Sequence, residues 1–192
     1  RIVGANKAIT GVQPKLSLWL EQNKKNIRFT LVDKKSNYIL KPQSETYPSL
    51  PENEDLCMHL AEELGIEVAK HGLIRLPSGS LAYITKRFER DGTNKFACED
   101  LCQLTETLTE HKYRGSYEKT GKIINLYSTQ PGLDTLHYFQ IILFSFITGN
   151  ADMHLKNFSL LDQPRTGYVL SPAYDMVAIA LVNTKDDEDL SL

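Results

Sequence analysis

The most apolar segment of the chain runs from Leu133 to Thr148 and stops at Gly149-Asn150. Its length is helical, glycine followed by asparagine is a helix stop, and Phe139, Leu143, Phe146 and Ile147 are expected in the core. What it delivers constrains the chain most. Gly149 to Leu161 reads GNADMHLKNFSLL, and SPAYDM follows at Ser171 to Met176. Together they set out Asp152, then Asn157 five positions on, then Asp175 eighteen further. Two carboxylates and an amide carbonyl are hard oxygen donors, the kind Mg²⁺ takes when phosphate oxygens complete its shell.

D-x-x-x-x-N with a later aspartate is the catalytic-loop and metal-loop pattern of protein kinases. The residue types are common, and Asn-Ala-Asp at a helix end is also ordinary capping and turn chemistry. The order of the remaining features separates the two readings.

At 192 residues the chain suits one compact domain or two small lobes. A net charge of −2 gives no global case for nucleic-acid binding. The longest apolar run, Ile141 to Ile147, is broken by Ser145 and is too short for a membrane span. Three cysteines, an odd count, point to reduced thiols and a cytoplasmic setting. Cys98 and Cys102 have helical spacing and read as structural. The chain opens at Arg1 without an initiator methionine or a signal-peptide pattern, and ends just past a charged stretch. It is expected to be a fragment of a longer protein.

Residues 7 to 17, KAITGVQPKLS, form a polar turn before a strand. Gly11 allows a tight turn, and Thr10, Lys15 and Ser17 are polar groups able to face phosphate. Leu16 to Leu20, Ile27 to Val32 and Tyr38 to Leu40 read as three strands of an antiparallel meander. The third leads into Lys41-Pro42, where a lysine leaving an apolar strand can place its ammonium in a cleft. Glu52 to Leu64 reads as a helix with Leu56, His59, Leu60 and Leu64 at three–four spacing, Asn53 in its first turn and Gly65 ending it. Glu54 is the candidate partner of Lys41; a surface glutamate complementing the helix dipole is the plainer alternative.

Val68 to Leu76 and Leu81 to Thr85 read as a hairpin around Pro77 to Ser80. Lys86 to Gly92 reads as a hinge, with Phe88 an apolar wall for an adenine. Beyond it the pattern turns helical, with helices expected at Glu99 to Leu108 and at Tyr117 to Tyr127, the latter with Ile123, Ile124 and Tyr127 inward. Between them lies a basic aromatic loop, HKYRGSY. A hairpin is expected from Phe158 to Leu170. Histidine shows no metal-ligand spacing, and His154 either bonds phosphate or orders the loop. The fold expected is α+β: a β-rich N-lobe with one helix over residues 1–91, and a helical, truncated C-lobe over 92–192.

GVQPKLSL, YILKP, NEDLCMHLAEELGI, KRFERDG, EDLCQL, KYRGSYEKTGKII, GNADMHLKNFSL and SPAYDM occur in the order found in one family. In these motifs the chain resembles the HipA family of bacterial toxin serine/threonine kinases, over nearly its whole length. GNxDxHxKNFS followed by PAYD is the most specific of them.

The resemblance implies a two-lobed protein-kinase-like fold using ATP and Mg²⁺. Asp152 is then the catalytic base, and Asn157 and Asp175 are the metal ligands. Lys41, with Lys15 and His154, meets the phosphates. Lys86 and Phe88 hold the adenine, and Glu89 sits by the ribose. Thr10, Gly11 and Gln13 belong to the loop that replaces a glycine-rich loop. An antitoxin partner is implied, with DNA engaged through it. The implied substrate is an aminoacyl-tRNA synthetase, whose phosphorylation arrests translation and growth.

The chain departs from the family pattern in four places. The N-terminal subdomain of larger members is absent, which points to short toxins paired with a separate small protein. The C-terminal helical part is also absent. The self-silencing serine position reads Ala8-Ile9-Thr10, leaving Thr10 as the hydroxyl there. A glutamine used near the adenine aligns with Cys98. Two other readings stand beside the protein kinase: a phosphotransferase acting on a small molecule, and a non-catalytic kinase-fold module that docks a partner.

Overall fold

The computed structural model describes residues 14–22, 27–32 and 35–182. Thr10, Gly11 and Gln13 lie outside the described residues. Strands β1 (Leu16–Gln22), β2 (Ile27–Leu31), β3 (Tyr38–Lys41), β4 (His71–Arg75) and β5 (Leu81–Lys86) form an antiparallel sheet of order β2-β1-β3-β5-β4. This is not the expected simple meander. β3 pairs with the far edge of β1 instead of with β2, Leu18 standing opposite Leu31 on one side and Tyr38 on the other. Leu18, Leu40, Ala82 and Ile84 form a small buried cluster, which requires β3 between β1 and β5. β4 begins at His71 rather than Val68, because Val68 makes a parallel bridge to Ala173 instead.

Helix α1 (Leu50–Glu63) packs on β4 and β5 and starts two residues before the expected Glu52, with Pro51 in its first turn. The Leu56, Leu60 and Leu64 stripe faces solvent. The buried face carries Glu54, Cys57, Met58 and Ala61. The three–four spacing therefore marks the outer face, because the inner face is taken by smaller side chains that sit close to the sheet.

A hairpin of β6 (Arg90–Asp91) and β7 (Asn94–Lys95) follows β5. The expected helix from Glu99 to Leu108 is instead strand β8 (Cys98–Asp100) and a single turn, α2 (Leu101–Leu104). Asp100 and Gln103 form a reciprocal capping box that starts α2. Glu106 adopts a left-handed φ of 52°, which ends helical geometry beyond it. Cys98 on a strand and Cys102 on a helix do not share a helical face, and Cys57, Cys98 and Cys102 are free thiols.

Helices α3 (Tyr117–Tyr127) and α4 (Pro131–Thr148) pack together, and β9 (Ser159–Gln163) pairs with β10 (Gly167–Leu170) and β8. Ile124 is fully buried, whereas Tyr127, expected inward, is about half exposed. On α4 the expected core residues are outside: Phe139 is 59% and Ile147 71% exposed, and Leu143 and Phe146 are exposed too. Tyr138, Ile141 and Phe144 are buried instead. The helix is apolar on two sides, so apolarity does not choose its inner face. Buried hydrogen bonds do. Asp134 accepts from Ser128 Oγ and from the Leu170 amide, and Tyr138 donates to the Tyr117 carbonyl.

One buried cluster runs across residue 91, with Met58 and Tyr83 before it and Leu101, Ile124, Tyr138 and Phe158 after it. The last described element is α5 (Ile179–Val182). Among the described residues no helix is long and apolar enough to cross a membrane.

Candidate active site

Lys41 ends β3 with its side chain 5% exposed. Its ammonium donates to Glu54 Oε1 on α1 at 2.6 Å and to Asp175 Oδ1. Lys15 Nζ reaches the other Asp175 oxygen at 3.2 Å. Burial alone lowers the Lys41 pKa, but the carboxylates of Asp175 and Glu54 reverse this and hold it above its usual value. Burial likewise works against charge on Asp175, and there Lys41 and Lys15 win, holding it well below the usual carboxylate range. At Glu54 burial outweighs Lys41 and pushes the carboxyl up to about 7. Its second oxygen, Oε2, is buried without a hydrogen-bond partner, which fits a carboxyl that takes up a proton readily. The centre thus holds a fixed cation, a firmly ionised carboxylate and a carboxyl that changes state near neutrality.

Asp175 has a left-handed φ of 60°, uncommon for a residue other than glycine. Its neighbours hold it there. The amide of Ala69 donates to Ala173 O, and the amide of Ala173 to Glu67 O. Tyr174 Oη lies 2.8 Å from Lys156 O and 2.6 Å from Ser159 Oγ, tying the residue before Asp175 to the residue before Asn157. From α1, the Asn53 side chain both donates to Ala178 O and accepts from Ala178 N. Asn53 thereby ties α1 to the chain just beyond Met176-Val177, while its neighbour Glu54 is linked to Asp175 through Lys41.

The loop after α4 is fixed at its start by Gly149. Its φ is 66°, and a Cβ there would stand 2.9 Å from Ala180 Cβ. Asp152 is exposed and accepts a hydrogen bond from Tyr113 Oη at 2.5 Å. Asn157 closes a 3₁₀ turn, Leu155–Asn157, and its Oδ1 accepts from the His154 amide at 2.9 Å. The His154 ring is buried edge-on to Tyr113; burial, then Lys112, lowers its pKa despite Asp152 and Asp175, which favours the neutral imidazole. Lys156 pairs with Asp100 at 2.6 Å and anchors the loop to the start of α2.

At the expected hinge, Lys86 is the last residue of β5 and its amide donates to Lys70 O. The Glu89 carboxylate is engaged by Arg87 at 2.8 Å. The Phe88 ring lies 5.4 Å from that of Tyr174, so this segment touches the one carrying Asp175. A cleft of about 490 Å³ between α3 and α4 contains none of these side chains.

The structure therefore brings Lys15, Lys41, Glu54 and Asp175 into direct contact, and Asn157, His154 and Asp152 onto one adjoining loop. The sequence reading missed Tyr113 and the role of Asn53. Tyr113 lies in the basic aromatic loop already noted, but nothing in its spacing pairs it with Asp152. The donor set fits Mg²⁺ with phosphate: an ionised carboxylate and an amide oxygen, with two ammonium groups alongside.

An antiparallel sheet, a packed helix presenting a glutamate to a strand lysine, and a helical part bearing the aspartate loops define the class as a kinase-type α+β fold. Shewanella oneidensis HipA, solved with HipB and operator DNA, superposes with a TM-score of 0.79 at 25% identity, over 97% of this chain and 47% of that one. The Helicobacter pylori kinase CtkA shares the fold at a TM-score of 0.61 and 16% identity, over 82% of this chain and 55% of that one. The family model of the HipA-like C-terminal domain matches residues 7–192, and the chain belongs to that family. A Haemophilus influenzae protein designated a candidate kinase is 32% identical, over 90% of this chain and 53% of its own length. The S. oneidensis serine/threonine-protein kinase toxin HipA is 30% identical, over 90% and 43%. The chain spans about half the length of the curated relatives it matches.

Proposed function

We propose that this chain carries the catalytic centre of an ATP- and Mg²⁺-dependent serine/threonine protein kinase, acting as the toxin of a toxin–antitoxin module. The observation that carries this is the buried contact of Lys41 with both Glu54 and Asp175. A buried lysine between two carboxylates, beside a loop bearing Asp152 and Asn157, supplies the charges that phosphoryl transfer needs.

Asn157 and Asp175 would hold Mg²⁺, which when bound neutralises phosphate charge. Lys41 would bind the phosphates, with Lys15 and His154 near them and Thr10, Gly11 and Gln13 in the covering loop. The Lys86 to Phe88 segment would hold the adenine, with Glu89 by the ribose. Asp152 would orient the substrate hydroxyl and accept its proton. Residues 1–91 and 92–192 would be the two lobes, with the nucleotide between them. The reading extends to a cytoplasmic setting, an antitoxin partner that contacts DNA, a separate small protein in place of an N-terminal subdomain, and an aminoacyl-tRNA synthetase as substrate.

The test is transfer of labelled phosphate from ATP with Mg²⁺ into a cell lysate, beside Asp152→Ala. A discrete labelled protein that vanishes with the variant is expected, and its identity names the substrate. Label in a metabolite instead would make the enzyme a small-molecule phosphotransferase. Nucleotide binding without any transfer would make it a binding module. Phosphate on Thr10, read by mass spectrometry, would establish self-silencing in this chain.

A further inference from the structure

Asp55 and His59 lie one turn apart on α1, and His71 opens the neighbouring strand β4. The three side chains converge, with one ligand atom from each lying within 4.8 Å of the others. Asp55 Oδ1 is 2.9 Å from His71 Nδ1, and Asp55 Oδ2 is 3.5 Å from His59 Nδ1. The two imidazole rings meet edge to face at 4.5 Å. His71 is held in one orientation, its side chain 3% exposed and its ring stacked on Tyr83. His59 is 56% exposed, and its Nδ1 lies 2.8 Å from the Asp55 main-chain carbonyl. The sequence showed no metal-ligand spacing because only Asp55 and His59 are local; pairing of α1 with β4 supplies the third donor.

The geometry points to a binding site for one divalent transition-metal cation of the Zn²⁺ class, formed by Asp55, His59 and His71 and separate from the nucleotide centre. Two imidazoles are borderline donors, and beside one carboxylate they select Zn²⁺, Co²⁺ or Ni²⁺ over Mg²⁺. Metal–ligand bonds of about 2.0–2.2 Å place tetrahedral donors roughly 3.3 Å apart. The distances of 2.9 and 3.5 Å to the two separate Asp55 oxygens bracket that value, and a rotation of the His59 ring that releases its Nδ1 from the Asp55 main-chain carbonyl closes the set. Three protein donors leave a fourth position for water. An Asp55–His71 hydrogen bond would by itself tie the helix to the strand, but it gives no reason for a second imidazole at the same carboxylate. The bound cation would clamp α1 to β4 one residue from Glu54, the residue that α1 presents to Lys41.

The test uses the full chain, stripped with a chelator and titrated with Co²⁺ and with Zn²⁺ in excess Mg²⁺. One equivalent should bind, with a visible Co²⁺ band of nitrogen–oxygen ligation that Zn²⁺ abolishes. Zn²⁺ should also raise the melting temperature. His59→Ala, at a half-exposed position that leaves the core intact, should weaken Co²⁺ and Zn²⁺ at least tenfold and remove the thermal shift, whereas His137→Ala should change neither. A sulfur-to-metal charge-transfer band would place the cation on cysteine and overturn the assignment. So would unchanged affinity in His59→Ala, or no binding at all.

Discussion

Tyr113 donates its phenolic proton to Asp152 across 2.5 Å, so one oxygen of the proposed base is occupied by a hydroxyl of the chain itself. A substrate serine or threonine would approach the same carboxylate with the same group. Tyr113→Phe should therefore raise kcat/KM for a protein substrate several-fold by removing the competitor. A tenfold fall instead would make Tyr113 a positioning residue for Asp152.

Removing the Lys41 ammonium leaves Glu54 buried without its cation and leaves Asp175, 30% exposed, with Lys15 alone. Lys41→Met should abolish nucleotide binding and lower stability by about 3 kcal/mol, the lower end for a broken buried pair because Glu54 can protonate. Urea unfolding gives the number. Combining it with Glu54→Gln should recover part of the loss, since the uncompensated carboxyl is then gone.

Glu54 gives stability a pH dependence with a definite sign. Its carboxyl is raised to about 7 in the fold, so the fold binds its proton more tightly than the unfolded chain does. That contribution is complete below the ordinary glutamate value and is lost as pH rises through about 7. Glu54→Gln should remove this slope, so the wild type loses stability relative to the variant between about pH 5 and about pH 8. Denaturant midpoints at the two ends would reveal it; parallel curves would remove the assignment.

Asp175 tests metal dependence with little backbone disturbance as Asp175→Asn. Asparagine tolerates the left-handed φ of 60°, whereas alanine at that position adds strain. Calorimetry should show that Mg²⁺ no longer strengthens ATP binding. Retention of the full Mg²⁺ effect would move the ligand role elsewhere.

The sequence by itself determined the local elements and the order of the chemical groups. Gly149 stops α4, and strand alternation leads to Lys41. The fixed steps from Asp152 to Asn157 and Asp175 are likewise legible, because capping, turns and alternation act over a few residues. The Cys98 to Asp100 strand was not legible, since its partner β9 lies about sixty residues away. Tertiary structure decided which faces of α1 and α4 turn inward, because both helices carry apolar residues on more than one side. Buried partners such as Asp134 and Glu54 made that choice. Tertiary structure also placed β3 between β1 and β5, Tyr113 on Asp152, and His71 beside Asp55 and His59. Each of these joins residues far apart in sequence, where no periodicity reaches and only the packing of the whole chain selects the neighbour.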